Sequence, residues 1–190
     1  MELSEQKAAA RKAAFARRKA AHQAQHGAGE IVAAALKEVL QDEPSTVLAG
    51  YMPIRTEIDI LPAMRWAHAA GWRVSVPEIM GQGKPLKFRE WHPEAEMVEG
   101  PFGAQVPASG AWLEPQLLLC PLVAFDARGY RLGYGGGFYD RSIEELSAIH
   151  PVRAIGIAYS AQEAPEPLPI EPTDQPLEAV ITEHGIRHFR

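Results

Sequence analysis

The residues best suited to chemistry lie between Phe125 and Arg141, in the run FDARGYRLGYGGGFYDR. Glycines occupy positions 133, 135, 136 and 137 there. Lacking a Cβ, glycine reaches positive φ and lets backbone N–H groups converge on an anion. A helix is predicted to start beside them, over about 137–149, and its free N–H groups and positive dipole end favour the same kind of ligand. Arg131 adds a fixed cation at the entrance, and Asp140 a carboxylate one turn into the helix. A phosphate cradle with a carboxylate beside it suits a magnesium nucleotide, because Mg2+ prefers carboxylate, water and phosphate oxygens. Glycine content alone leaves a second reading open, a glycine-rich turn whose Asp140 merely complements the helix dipole. Neither standard nucleotide fingerprint fits: there is no GxxxxGK[ST], and Phe138 takes the place of the last glycine of GxGxxG.

A second group is cationic. No acidic residue occurs between Gln6 and Gly29, whereas Lys7, Arg11, Lys12, Arg17, Arg18 and Lys19 are all basic. On a helix, Lys7, Arg11 and Arg18 fall within about 40° of one another. Such a stripe could address one polyphosphate, or it could be a solvated basic face. An alanine- and arginine-rich, acid-poor start also resembles a mitochondrial transit peptide. Glu2, Glu5 and the near absence of serine favour a segment of the mature protein.

The elements that must position these groups follow from the remaining pattern. Helices are predicted over Ser4 to about His26, Glu30 to Leu40, and Leu61 to Ala70, the last ended by Gly71. Strands are expected over Thr46–Met52, closed by Pro53, over Trp72–Val76, ended by Pro77, and over the alternating Pro85–Trp91. Residues 93–115 lack a clear period and read as loops or short edges. The apolar run Leu117–Phe125 reads as a central strand buried on both faces, with a bulge or an end near Pro121. Val152–Ala158 and Ala179–Thr182 complete the set. Strands alternating with helices predict a three-layer α/β/α sandwich with a mainly parallel, Rossmann-like sheet. Ligands of such sheets sit at the carboxyl ends of the strands, which directs attention to the loop after Phe125.

With 190 residues, 46% apolar and 23% charged, the chain has the composition of a single globular domain spanning 1–190. A net charge of −5 argues against a nucleic-acid partner, and no apolar run is long enough for a membrane partner. Cys120 is the one cysteine, so a reducing, cytoplasmic setting is expected. It lies within Leu117–Val123 and reads as a small buried hydrophobe rather than a nucleophile. The pairs His22/His26 and His184/His188 lack an HExxH pattern and read as surface histidines. Trp66, Trp72, Trp91 and Trp112 read as core or pocket wall.

The segment 125–141 closely resembles the signature of the 5-formyltetrahydrofolate cyclo-ligases, of the form FD-x-x-G-x-RLG-x-G-x-G-YYDR, with Phe138 in place of a tyrosine. Three further segments resemble the same family in the same order: EQKAAARKAAFARRKA, LAGYMPIRTEIDI and PIEPTDQPLEAVIT. The resemblance spans about residues 5–183 and is weakest over 93–115. It implies an ATP-dependent cyclisation of 5-formyltetrahydrofolate, with or without a polyglutamate tail, to the 5,10-methenyl form, through a phosphorylated formyl group. It implies that ATP contacts Lys7, Ala8, Ala9, Ala10, Arg11, Arg131, Leu132, Gly133, Tyr134, Gly135, Gly136, Gly137, Phe138 and Tyr139. Folate would contact Met52, Glu57 and the 134–138 loop; Asp140 and Asp174 would be associated with Mg2+; Arg131 and Tyr139 would stand at catalytic positions. A non-catalytic nucleotide- or folate-binding regulator on the same scaffold is the alternative, and the presence of Glu57 and Asp140 speaks against it.

Overall fold

The computed structural model describes residues 1–190 apart from the side chain of Phe102. Helix α1 (Leu3–Ala24) and helix α2 (Ala28–Leu40) meet at Gly27, whose left-handed φ of 79° turns the chain. Strand β1 (Val47–Ala49), helix α3 (Leu61–Ala69), β2 (Arg73–Glu78) and β3 (Lys87–Trp91) follow. Next come the short β4 (Met97–Glu99), β5 (Gln105–Pro107) and β6 (Trp112–Leu113), then β7 (Leu117–Pro121). After β7 the chain forms β8 (Ala124–Phe125), β9 (Arg131–Leu132), helix α4 (Phe138–Ser147), β10 (Arg153–Ile157), β11 (Ala179–Thr182) and β12 (Gly185–His188).

Eight strands build one sheet in the order β12-β11-β10-β7-β1-β2-β3-β6. The pairings from β11 through β2 are parallel, and β12, β3 and β6 add antiparallel edges. The central strand β7 is buried on both faces, and its residues alternate. Leu117 and Leu119 pack with α2 and α3, through Val32, Leu36 and Met64. Leu118 and Cys120 pack with Ile143 and Leu146 of α4. The expected three-layer α/β/α architecture is therefore present. Helix α1 lies apart from these layers. Its Ala14 packs with Val123, Ala124, Leu132 and Leu168, so it crosses the carboxyl end of β7.

Proline behaves in two ways. Pro121 ends β7, as its missing N–H predicts. Pro77 does not end β2, which continues to Glu78 and pairs Pro77 with Phe88 of β3. On the other side β1 has already stopped at Ala49, opposite Ser75, so no ladder bond is missing there. Outside the aperiodic 93–115 segment, which holds β4, β5 and β6, two strands carry no signal in the apolar pattern: β12, which is short and largely polar, and β9, which pairs back on β8 as a hairpin inside the expected loop. Asp126 organises that hairpin. Only 2% exposed, it accepts hydrogen bonds from the backbone N–H groups of Arg128, Tyr130 and Leu168. Trp72 and Trp91 are core, whereas Trp112 is 44% exposed and stacks under Arg89. No described helix is long and apolar enough to cross a membrane.

Candidate active site

A cavity of about 440 Å3 opens where the carboxyl ends of β1, β2 and β7 meet α1 and the start of α4. The glycine-rich loop forms one wall. Gly135 has φ +105° and Gly137, at the N-cap of α4, has φ +67°. Gly133 and Gly136 have ordinary φ, and lack of space accounts for glycine only at 136. A Cβ at Gly136 would run into the Phe138 ring, and a Cβ at Gly133 would meet open space.

The first helix faces this cavity because its basic stripe is turned inward. Lys7 Nζ donates to Glu171 Oε2 at 2.7 Å and to Asp174 Oδ2 at 3.0 Å. Burial by itself would lower the Lys7 ammonium, but the bonds to Glu171 and Asp174 outweigh it and hold the ammonium above its ordinary value. Arg11 Nε donates to the carbonyl of Gly133 at 2.8 Å, which fixes the cation beside the loop. Arg18 departs from the expected polyphosphate stripe. It is 1% exposed, is not among the cavity-lining residues, and its guanidinium serves Thr56 and Tyr134.

Arg131 enters from β9. Its Nη2 donates to Asp140 Oδ1 at 3.1 Å, while its buried Nε has no partner among the described residues. Asp140 Oδ1 also accepts from the backbone N–H of Gln175 at 2.9 Å, which ties α4 to the Asp174 segment. The buried hydroxyl of Tyr139 likewise has no partner among the described residues. Burial, with the nearby Cys120 and Glu57, raises that phenol well above its ordinary pKa, so it is a protonated donor. Both atoms are shielded from solvent, although Arg131 and Tyr139 are among the residues that line the cavity.

On the opposite side stands Glu57, 7% exposed. Its Oε1 accepts from the Ile54 N–H and its Oε2 from the Tyr134 hydroxyl, both at 2.9 Å. Burial raises the carboxyl, and these two bonds with Arg18 and Arg55 oppose the rise. Arg55 is the one non-glycine residue with positive φ (53°) among those described, and its guanidinium lies over the Tyr134 ring. Cys120, beneath the site, is fully buried, and burial pushes its thiol up to about 11, as expected of an inert core residue.

Of the residues expected from sequence, Lys7, Arg11, Met52, Glu57, Arg131, Leu132, all of 133–139, Asp140 and Asp174 line this one cavity. Ala8, Ala9 and Ala10 do not. On a helix they rotate away from the direction shared by Lys7 and Arg11. Ala8 and Ala9 are exposed, and Ala10 packs beside Val123 and Leu132. Sequence reasoning missed Glu171, although it precedes Asp174 by three residues and its N–H bonds the Asp174 carboxylate. It also missed the apolar wall of Pro77, Ile79, Leu86 and Val106, part of which comes from the aperiodic 93–115 segment. None of the tryptophans lines the cavity.

No cluster of three or more His, Cys, Asp or Glu side chains suited to a metal exists among the described residues. A magnesium ion does not require one, since it is held by one or two carboxylates together with water and phosphate oxygens. Asp140 accepts only through Oδ1 and Asp174 only through Oδ2. Each carboxylate thus keeps one oxygen without a partner among the described residues, the donor type such an ion takes.

Residues 3–183 match the model of the 5-formyltetrahydrofolate cyclo-ligase family. The 5-formyltetrahydrofolate cyclo-ligase of Escherichia coli K12 is 34% identical over 142 residues, covering 71% of this chain and 76% of that protein. The Haemophilus influenzae protein of the same name is 39% identical over 99 residues, or 48% of this chain and 51% of the relative. The NMR structure of Aquifex aeolicus 5,10-methenyltetrahydrofolate synthetase superposes with a TM-score of 0.80 at 28% identity, covering 100% of this chain and 94% of that one.

Proposed function

Because this chain belongs to the 5-formyltetrahydrofolate cyclo-ligase family, we propose that its cavity closes 5-formyltetrahydrofolate to the 5,10-methenyl form with ATP as co-substrate. The N5-formyl group is an amide: its carbon resists attack by N10, and its oxygen is a poor leaving group. Transfer of the γ-phosphoryl group to that oxygen, with release of ADP, makes the oxygen a phosphate leaving group. N10 then attacks the formyl carbon, the five-membered ring closes, and phosphate departs as N10 gives up its proton to solvent.

The chain's own task is alignment and charge neutralisation. Lys7, Arg11 and Arg131 face the polyphosphate, and the 133–137 backbone supplies oriented N–H dipoles. Leu132, Tyr134 and Phe138 pack around the nucleotide. Arg131 and Tyr139, which both line the cavity, stand at the catalytic positions beside the oxygen that accepts the phosphoryl group. Glu57 accepts N–H donors of the folate ring while Met52 and the apolar wall pack against it. Asp140 and Asp174 would hold Mg2+, which neutralises charge on the phosphates. All of 1–190 serves as one domain, in the cytoplasm.

The observation that carries this reading is the convergence of the inward-facing Lys7 and Arg11, the glycine loop and Glu57 on a single cavity. The test is purified protein with ATP, Mg2+ and 5-formyltetrahydrofolate, followed by the methenyl chromophore. One ADP and one phosphate are expected per methenyl product. A folded protein that binds ATP and never forms the product refutes the reading.

A further inference from the structure

Behind Glu57 lies a buried polar chain that no contact with ligand explains. Arg18 of α1 is outside the cavity, yet its side chain is buried, with Nε bonded to Thr56 Oγ1 at 2.8 Å and Nη1 to the Tyr134 hydroxyl at 2.9 Å. Nη1 also reaches the Leu122 carbonyl at 3.3 Å. The same Tyr134 hydroxyl lies 2.9 Å from Glu57 Oε2. We propose that Arg18, acting through Tyr134, is a positioning residue that fixes Glu57 as an acceptor-only carboxylate aimed at paired N–H donors of the folate ring.

The polarity of the chain is forced by donor and acceptor inventory. A guanidinium has N–H donors and no acceptor, so the contact with Arg18 must use a lone pair of the Tyr134 oxygen. The phenol has one proton, and that proton is left to point at Glu57. Burial, then Glu57 itself, pushes the Tyr134 phenol up to about 12, so the proton stays on it. At the second carboxylate oxygen the Ile54 N–H donates at 2.9 Å. Both oxygens of Glu57 are thus engaged by donors, and their remaining lone pairs can only accept. A carboxylate in this state matches an aminopyrimidine edge with two adjacent N–H groups; a protonated one would oppose a donor to a donor.

The groups that face Glu57 agree with this arrangement. Arg18 comes from α1, Arg55 from its own loop, Tyr134 from the glycine loop, Tyr51 from the end of β1 and Tyr139 from α4. Two are cations that favour the ionised carboxylate. The three phenols keep their protons, so the like charge they could add is absent at neutral pH. Arg18 and Arg55 also place their guanidinium groups over the Tyr134 ring, 5.6 and 5.4 Å from its centroid, which locks the ring that carries the relay.

The proposal rests on the reading that Glu57 binds folate, and the experiment separates the two. Binding of 5-formyltetrahydrofolate and, separately, of ATP is measured calorimetrically in Tyr134→Phe, Arg18→Gln, Glu57→Gln and their pairwise combinations. Thermal unfolding verifies each fold. Tyr134→Phe and Arg18→Gln are each expected to weaken folate binding roughly three- to tenfold, the size of one lost hydrogen bond, and to weaken ATP binding less, because the Tyr134 ring that packs in the nucleotide site is kept. Neither effect should persist in the Glu57→Gln background, and Arg18→Gln should add nothing to Tyr134→Phe. In the wild type folate affinity falls as pH is lowered and Glu57 protonates; in Tyr134→Phe the fall should begin at a higher pH. Additive effects, an unshifted pH profile, or equal losses of ATP and folate affinity would overturn the relay while leaving Glu57 in place. A Glu57→Gln protein with intact folate affinity would remove the folate reading and the relay together. If Arg18→Gln fails to fold, the Tyr134→Phe and Glu57→Gln cycle decides alone, because it removes one hydroxyl and one charge without touching α1.

Discussion

Replacing Gly133 by alanine separates a phosphate cradle from an ordinary turn more cleanly than any other change in the loop. Gly133 has an ordinary φ, and a Cβ built there meets nothing within 4 Å in the ligand-free protein. The methyl group therefore causes no backbone strain and no clash. By narrowing the unfolded ensemble it should stabilise the fold by about 0.4–1 kcal/mol. For a chain of this size that raises Tm by roughly 1–4 °C. Gly133 lines the cavity, where the cradle reading requires a phosphate to approach the loop backbone. Losing one charge-assisted backbone hydrogen bond costs roughly 1.5–3 kcal/mol, which is about ten- to a hundredfold in ATP affinity. Gly185→Ala supplies the converse. Its φ of +104° matches that of Gly135, its surroundings are also open, and it lies in the β11–β12 turn, which contributes nothing to the cavity. It should lose about 1–3 kcal/mol to strain and keep its affinity for ATP. The assay pairs calorimetric ATP binding with thermal unfolding in both variants. Unchanged ATP affinity in a stable Gly133→Ala protein would refute the cradle.

Three other outcomes are expected. Asp140→Asn should raise the Mg2+ concentration needed for half-maximal turnover more than it weakens folate binding; an identical magnesium titration would count against that role. Arg11→Ala should raise KM for ATP about tenfold, as expected for one lost charge-assisted bond, and Glu57→Gln should raise KM for folate instead, as steady-state kinetics with each substrate varied would tell. Glu57 also carries a stability signature. Its folded-state pKa is raised, so its contribution is present below the unfolded pKa and is lost as pH rises through the folded one. Glu57→Gln cannot titrate, so the loss of thermal stability that the wild type shows as pH rises through the folded-state pKa should be absent from the pH profile of that variant.

How much of this was legible from sequence depended on where the partners lie along the chain. The sheet strands with apolar runs, β7, β10 and β11, announce themselves because burial on both faces leaves no room for polar residues. The glycine loop was legible for the same local reason. The cationic stripe was readable as a stripe but not as a surface: whether Lys7, Arg11 and Arg18 meet water or protein is decided by Glu171, Gly133 and Tyr134, all more than 100 positions distant in sequence. Arg18 in particular looks like its neighbours in the alphabet and differs from them only in being enclosed. The β8–β9 hairpin escaped because a buried carboxylate, Asp126, organises it through backbone N–H groups, and no hydrophobic period records that. The 93–115 segment lends the cavity Pro101, Ala104, Gln105 and Val106 from a hairpin without helical or strand periodicity, so composition alone could not assign it a wall.

The ion pairs of Lys7 with Glu171 and Asp174 join positions separated by 164 and 167 residues. During synthesis the first helix leaves the ribosome early and waits, its basic side chains without their counterparts, until the segment after Leu168 has emerged. A chain stalled between Ser147 and Leu168 has the glycine loop and Glu57 but lacks the Glu171 and Asp174 carboxylates that pair with Lys7. The cavity wall is thus completed among the last contacts the chain makes.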